Sequence, residues 1–276
     1  MLILHASDLQ AGKPFRTRAA EDLVALAHTL APDVVVIAGD LTQRAKAREY
    51  QMARNLLDRL APLPVVATPG NHDVPLYRVW ERLLAPYRNW RRFIAPELDS
   101  ATRVRGGTVV ALNSSAPRRA IVGGWVGAAQ VEMARATFAA VPAGDARVVV
   151  IHHHFLRPPD GEGGRPLPGA RRILETFEAM RVDLVLGGHI HQTQVRTSRD
   201  LVEGRGPGIP LVACGTTTSS RGRGPEAGLN TLNVVRLEAG AVRVETRRHR
   251  EGDGFVPVAE ATFSRPGAEP GGGPGA

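Results

Sequence analysis

Acidic, amide and imidazole side chains recur along this chain directly after short apolar runs. Leu2-Ile3-Leu4 leads to Asp8 and Gln10, Val34–Ala38 to Gly39-Asp40, and Pro64–Thr68 to Gly70-Asn71-His72-Asp73. Val148–Ile151 runs into His152, His153 and His154, and Leu184–Leu186 into Gly187-Gly188-His189-Ile190-His191. Carboxylate, imidazole and amide oxygen together suit borderline or hard divalent ions such as Mn, Fe or Zn. Each residue also has a plain structural reading, since an Asp after a strand caps helices and turns and a strand-end His is often only hydrogen-bonded. Their recurrence in this order, always at the end of an apolar run, is what favours chemistry.

Such residues need a scaffold that brings them together. Apolar β-branched runs alternate with amphipathic stretches, which predicts strand–helix alternation around a largely buried sheet, an α/β fold. Helices are expected over 19–30, 45–60, 76–94, 128–138 and 170–180. Strands are expected over 2–4, 34–38, 64–68, 108–112, 148–151, 184–186 and 210–214, and over 231–237 and 241–247, the last two joined by a Glu238-Ala239-Gly240 turn. In an open α/β sheet, loops beyond the carboxyl ends of strands converge on one crevice, so Asp8, Asp40, Asn71, His72, His152, His189 and His191 should meet. Residues 1–262 are expected to form a single domain. From 263 to 276 the chain is rich in Pro and Gly and is expected to be disordered.

The 276 residues include a single cysteine, Cys214, which excludes an internal disulfide and fits a reducing cytoplasm. In an apolar strand it is most simply a small buried hydrophobe. The first residues, MLILHASDLQ, make a poor signal peptide, and no stretch approaches the ~20 apolar residues that span a bilayer. A formal charge of +8 invites a nucleic-acid partner. The basic residues are almost all arginine and lie scattered, whereas such footprints cluster, so nucleic acid is allowed but not favoured; an anionic substrate gains from the field either way.

His5-Ala6-Ser7-Asp8-Leu9-Gln10, Gly39-Asp40-Leu41-Thr42, Gly70-Asn71-His72-Asp73, the His152 run and Gly188-His189-Ile190-His191 resemble the five ordered motifs of calcineurin-like metallophosphoesterases. The resemblance covers residues from about 2 to 191, and more weakly to about 247. It implies a four-layer αββα sandwich, with two mixed β-sheets flanked by helices, and a site for two divalent ions. Carried over position by position, Asp8 and His191 would hold the first ion, Asp40 would bridge both, and Asn71, His152 and His189 would hold the second. His72 would face the leaving-group oxygen as general acid, steered by Asp73. Two ions about 3.5–4 Å apart generate a hydroxide near neutral pH and clamp the phosphoryl oxygens for in-line attack. A carboxylate can bridge two cations while offsetting their charge, and an imidazole titrates near the working pH.

One position departs from the pattern. Gln10 stands where these enzymes place a histidine, so it would offer the first ion only a neutral amide oxygen. Among the histidines, His152 is chosen as ligand because it comes first after the strand, leaving His153 and His154 for loop or substrate contacts. His5 is expected beneath the site. Trp80, Trp90, Arg91 and Arg92 are either helix core with solvated arginines or a lid, and Arg221 and Arg223 are candidates for phosphate contact. The activity implied is hydrolysis of a phosphodiester, a cyclic nucleotide or a similar small substrate. A nuclease of the same superfamily and a non-catalytic metal-binding scaffold are the alternatives, and a homodimer is one allowed state.

Overall fold

The computed structural model describes residues 1–158, 161 and 164–266. Two six-stranded mixed sheets face one another. The first has the order β14-β13-β12-β1-β2-β3, built from β1 (Leu2–Ala6), β2 (Val34–Ile37), β3 (Val65–Ala67), β12 (Thr231–Leu237), β13 (Ala241–Arg250) and β14 (Gly254–Ser264). The second has the order β10-β11-β9-β8-β5-β4, from β4 (Ser100–Val104), β5 (Gly107–Leu112), β8 (Ala146–Ile151), β9 (Leu184–Gly187), β10 (Gln194–Thr197) and β11 (Pro210–Ala213). A small hairpin, β6 (Ser115–Ala116) and β7 (Ala120–Gly124), stands apart.

Residue alternation along the strands explains the layering, because successive side chains point to opposite faces. In the first sheet Ile3, Val34, Val36 and Ala38 face the second, where they meet Val109, Ala111, Val148, Val150, Leu184 and Leu186. The alternate residues Leu4, Ala6, Val35 and Ile37 pack outward against Leu23 and Ala27 of α1 (Thr17–Leu30) and Tyr50 and Leu57 of α2 (Ala47–Asp58). On the far side, Val110, Leu112, Val149 and Ile151 pack against Ala134 and Phe138 of α5 (Ala128–Ala139) and Leu174 and Phe177 of α6 (Ala170–Ala179). Strands buried on both faces read as continuous apolar runs, which is why β2 and β8 were legible. The result is the expected four-layer αββα sandwich.

Three expectations change. The helix over 76–94 is two helices, α3 (Val79–Leu84) and α4 (Arg88–Phe93), broken at Ala85-Pro86 because proline lacks the N–H a continuing helix needs. Trp90 in α4 is buried and donates its indole N–H to the Glu97 carbonyl, whereas Trp80 in α3 is 77% exposed. The ordered chain also passes residue 262: β14 runs to Ser264, and the buried Arg265 donates to both carboxylate oxygens of Asp183 at 2.9 and 3.1 Å. The disorder expected for the rest of the tail concerns residues 267–276, which lie outside the described residues.

Strand direction positions the site. β1, β2 and β3 are parallel in one sheet, as are β5, β8, β9 and β11 in the other, so their carboxyl ends share one rim. Hydrogen bonds stitch the sheets beneath that rim. His152 Nδ1 donates to the Ala38 carbonyl at 2.7 Å, His5 Nε2 to the Gly187 carbonyl at 3.1 Å, and Thr68 Oγ1 to the Leu112 carbonyl at 2.9 Å. Among the described residues, no helix is long and apolar enough to cross a membrane.

Candidate metal centre

The loops after β1 and β2 run side by side. The N–H groups of Asp8, Gln10 and Ala11 donate to the carbonyls of Gly39, Asp40 and Leu41 at 2.9–3.0 Å. Asp8, Gln10, Asp40, His189 and His191 all have positive φ, between 48° and 74°. Left-handed backbone costs energy in non-glycine residues and persists where surroundings impose it, and it clusters at functional sites. Here it turns the side chains into the rim. Two glycines make room for them. A Cβ on Gly39, itself at φ 90°, would run into the His152 ring, and one on Gly70 would run into the Asp40 carboxylate.

Six of the seven expected ligand residues form one buried cluster with their donor atoms turned inward. Asp40 Oδ1 lies 3.4 Å from His152 Nε2 and accepts the His72 N–H at 2.8 Å. His152 Nε2 and His189 Nδ1 converge on Asn71 Oδ1, at 3.3 and 2.9 Å. Across the rim His191 Nε2 stands 3.1 Å from Asp8 Oδ1. The His191 Nδ1–H donates to the Arg221 carbonyl at 2.9 Å, which leaves the lone pair on Nε2. Asp8 Oδ2 is satisfied by Ser7 Oγ at 2.7 Å and the His189 N–H at 3.1 Å.

What remains is an imbalance of donors. Asp8 Oδ1 and Asp40 Oδ2 are buried oxygens with no hydrogen-bond donor. Buried polar atoms are almost always paired, so each calls for a missing partner. Asp8, Asp40 and His191 each offer a ligand atom, and these atoms lie within 4.8 Å of one another. The donor types and their spacing fit divalent cations.

The electrostatics agree. Burial disfavours the Asp40 anion, yet His152 and His72 hold its carboxyl well below the usual carboxylate range. Burial likewise opposes the His152 cation, but Asp40 raises it to about 9. Burial, reinforced by neighbouring imidazoles, keeps His189 well below its ordinary value and pushes His153 to about 3. For His189 this favours the neutral ring, the form that binds metal.

The structure also separates the three consecutive histidines. His152 alone points at Asp40 and Asn71. His153 donates from Nε2 to the Val122 carbonyl at 3.0 Å and accepts from Ser114 Oγ at 2.7 Å, so both its nitrogens are engaged elsewhere. His154 stacks on the His189 ring, with centroids 5.4 Å apart.

Two expected roles need correction. Gln10 reaches the cluster, but its amide oxygen is turned away from Asp8 and Asp40. Oε1 accepts from Ser219 Oγ at 3.2 Å and Arg221 Nη1 at 3.4 Å, while the NH₂ group faces His191 Nε2 at 3.1 Å. Nor does Asp73 steer His72. Its carboxylate accepts the N–H groups of Leu41, Thr42 and Gly70 at 2.9–3.1 Å, tying the β2 and β3 loops together. The His72 Nδ1–H is instead held by the Gln43 carbonyl at 2.8 Å, a backbone partner that no side-chain pattern reveals. His72 Nε2 then faces the cleft, 4.0 Å from Asp40 Oδ2 and 3.4 Å from Arg221 Nη1. Arg223 joins Asp40, Asn71, His72, Val122, His189 and His191 in lining a cleft of about 160 Å³.

Comparison with known proteins agrees with this geometry. A family model described as calcineurin-like phosphoesterase matches residues 1–193. A search of curated proteins found no match. Among solved structures, a purple acid phosphatase from yellow lupin (Lupinus luteus) seeds is similar with a TM-score of 0.70 at 14% identity, covering 96% of this chain and 54% of that one. The chain thus spans about half the length of the lupin enzyme. A dimetal phosphatase from Danio rerio superposes with a TM-score of 0.63 at 12% identity, over 96% of this chain and 99% of that one. GAP50, the anchor in the inner membrane complex of Plasmodium, gives 0.62 at 12% identity, over 96% and 89% of the two chains. At such identities the neighbours establish the fold, while the family match rests on the segment that carries all five motifs. The chain belongs to the calcineurin-like phosphoesterase family, whose members use a dinuclear metal centre on phosphoric esters.

Proposed function

We propose that this chain hydrolyses a phosphodiester, a cyclic nucleotide or an internucleotide bond, at a site for two divalent ions. Asp8 and His191 would hold one ion, Asn71, His152 and His189 the other, and Asp40 both. The observation that carries this reading is the pair of buried, donorless oxygens, Asp8 Oδ1 and Asp40 Oδ2, on two residues that group with His191 at the cleft that His72 lines. Ions bound there would supply Lewis-acid polarisation of the phosphoryl oxygens and activation of the attacking water.

The chain's own groups account for the rest. His72 in its protonated form is oriented as a proton donor, because the Gln43 carbonyl accepts Nδ1–H and leaves Nε2 toward the cleft, where the neutral ring accepts from Arg221 Nη1. As the phosphorus–oxygen bond to the leaving group breaks, the Nε2 proton passes to the departing oxygen. The Gln43 carbonyl then keeps the neutral ring in the tautomer that can take up a proton at Nε2 again. The half-buried Arg221 guanidinium beside Nε2, with Arg223 on the cleft wall, offers a cationic grip on non-bridging phosphoryl oxygens. Asp73 acts at one remove by locking the loop that carries His72 against the one that carries Asp40.

Turnover of bis(p-nitrophenyl) phosphate tests the reading. Hydrolysis should require added Mn or a similar ion and vanish in chelator. Turnover at an unchanged rate in chelator would discard the two-ion assignment.

A further inference from the structure

A second and larger concavity draws on the same β6–β7 hairpin as the cleft. It encloses about 710 Å³ between α4 and the β6–β7 hairpin, and its walls include Tyr87, Arg88, Arg91, Arg118, Arg119 and Trp125. All four arginines and Trp125 are exposed. Arg119 lies over the Trp125 ring, 4.6 Å from its centroid, and Arg118 donates from Nε to the Leu83 carbonyl at 2.9 Å. Asp99, a carboxylate in the same wall, is already occupied: its Oδ1 accepts the Asn113 N–H and Gln130 Nε2, each at 2.7 Å. Among the described residues, none of the four arginines forms an ion pair with a carboxylate. Some arginines elsewhere are paired, as Arg78 with Glu81, Arg199 with Glu178 and Arg265 with Asp183. Four uncompensated guanidinium groups around one groove make a site for several negative charges.

We propose that this groove binds single-stranded nucleic acid and leads it to the catalytic cleft. Three features select that ligand. Phosphodiesters repeat their charge along a chain, matching arginines spread along a groove and not gathered at one point. The exposed Trp125 stands among those arginines, and an aromatic face among cations is a surface on which unpaired bases stack. A duplex hides its base faces, so such a wall favours the single strand.

The third feature is the hairpin that the two concavities share. Arg118 and Arg119 lie in the turn of the β6–β7 hairpin and face the groove, while Val122 on β7 lines the catalytic cleft. The Val122 carbonyl is anchored by His153, which follows His152 directly. One hairpin therefore contributes to both concavities, and a strand seated on the arginines would cross it to reach His72. The scattered arginines that counted against a nucleic-acid partner in the sequence are, in part, gathered here by the fold. The delivery step rests on the phosphodiesterase reading above; binding in the groove does not.

Fluorescence anisotropy of a labelled oligothymidylate on the full chain, in EDTA so that nothing is cleaved, tests the groove. The wild type should bind saturably and lose affinity steeply as salt rises. Arg118→Glu with Arg119→Glu should weaken binding at least roughly tenfold, while hydrolysis of bis(p-nitrophenyl) phosphate with Mn stays within twofold of wild type. Trp125→Ala should weaken the oligothymidylate by roughly fivefold or more, as loss of one stacked base requires, yet leave competition by inorganic polyphosphate unchanged. Absence of saturable binding, equal binding by the charge-reversed protein, or equal affinity for a duplex of the same length would each overturn the proposal. Oligonucleotide binding without hydrolysis of the small diester would instead sink the phosphodiesterase reading and leave the groove standing.

Discussion

The two halves of the catalytic rim come from the same device, polar residues after parallel strands, yet they differ in completeness. On the Asn71 side, one carboxylate, one amide and two imidazoles form a chain of close contacts, and Asp40 and His152 are oriented by backbone contacts. On the Asp8 side, Asp8 and His191 face each other alone, and Gln10 aims its NH₂ group at the lone pair an ion would need. An ion in the first half replaces the contacts of His152 and His189 with Asn71, and all of those side chains are themselves donors to it. An ion in the second must displace the Gln10–His191 hydrogen bond and, beyond Asp8, His191 and the shared Asp40, gains no further strong donor. The protein thus holds one complete and one compromised ligand set around a shared carboxylate, and the compromised set should decide how activity depends on the metal supplied.

The most severe test removes what the halves share. Asp40→Ala should abolish turnover and release at least one metal equivalent, measured by metal analysis after gel filtration, because no other residue reaches both sides. It also strips His152 of the carboxylate that stabilises its cation. An active, fully loaded variant would show that the halves are independent sites.

Next in size is His72→Ala, which belongs to neither half as a ligand. It should keep both ions and lose roughly 10²–10⁴-fold in rate, as for a missing general acid, with a smaller loss for leaving groups that depart without a proton. Loss of an ion from this variant would move His72 into one of the ligand sets.

Gln10→His addresses the asymmetry itself. It should tighten the weaker ion by about 10–100-fold, the scale on which substitutions around a metal act, leave the stronger ion alone, and shift the preferred ion from Mn towards Fe or Zn. Titration of apoprotein with Mn and Zn reads this directly. Two equally tight sites in the wild type would erase the comparison.

The smallest expected effect lies beneath the Asp8 side. Burial holds His5 near 3, against 6.5 in an unfolded chain. Between those values the unfolded state binds a proton that the folded state refuses, so stability is complete above 6.5 and falls as pH drops towards 3, by about 1.4 kcal/mol per pH unit. Asp73, raised by burial and by Asp40 to about 7, and His152, raised to about 9, slope the other way and are common to both proteins. His5→Gln should therefore show a shallower fall of Tm than wild type between pH 6.5 and 4, measured in chelator. Parallel curves would mean that His5 is solvated or charged in the fold.

Much of this protein was legible because its central strands are buried on both faces, so their apolar runs and the polar residues ending them stand out without any tertiary information. Strand ends and the order of the motifs are local properties, and Asp8, Asp40, Asn71, His72, His152, His189 and His191 follow from them. Edge strands are not local in this sense. β14 carries Pro257 where the register with β13 shifts, and among its residues only Phe255 is buried, so it lacks the alternation that marks a strand. Side-chain direction depends on partners far along the chain. Ser219 and Arg221, more than 200 residues away, decide which end of the Gln10 amide meets the cleft, and a Gln43 carbonyl sets the His72 tautomer. The arginine groove is the extreme case: residues 87–91 and 117–125 are separate stretches of ordinary composition, and only the packing of α4 against the hairpin turns them into one surface. Sequence specifies which donors exist and where the strands present them, because apolar periodicity is a short-range property. Where each donor points, and which charges stay unpaired, are decided by long-range contacts.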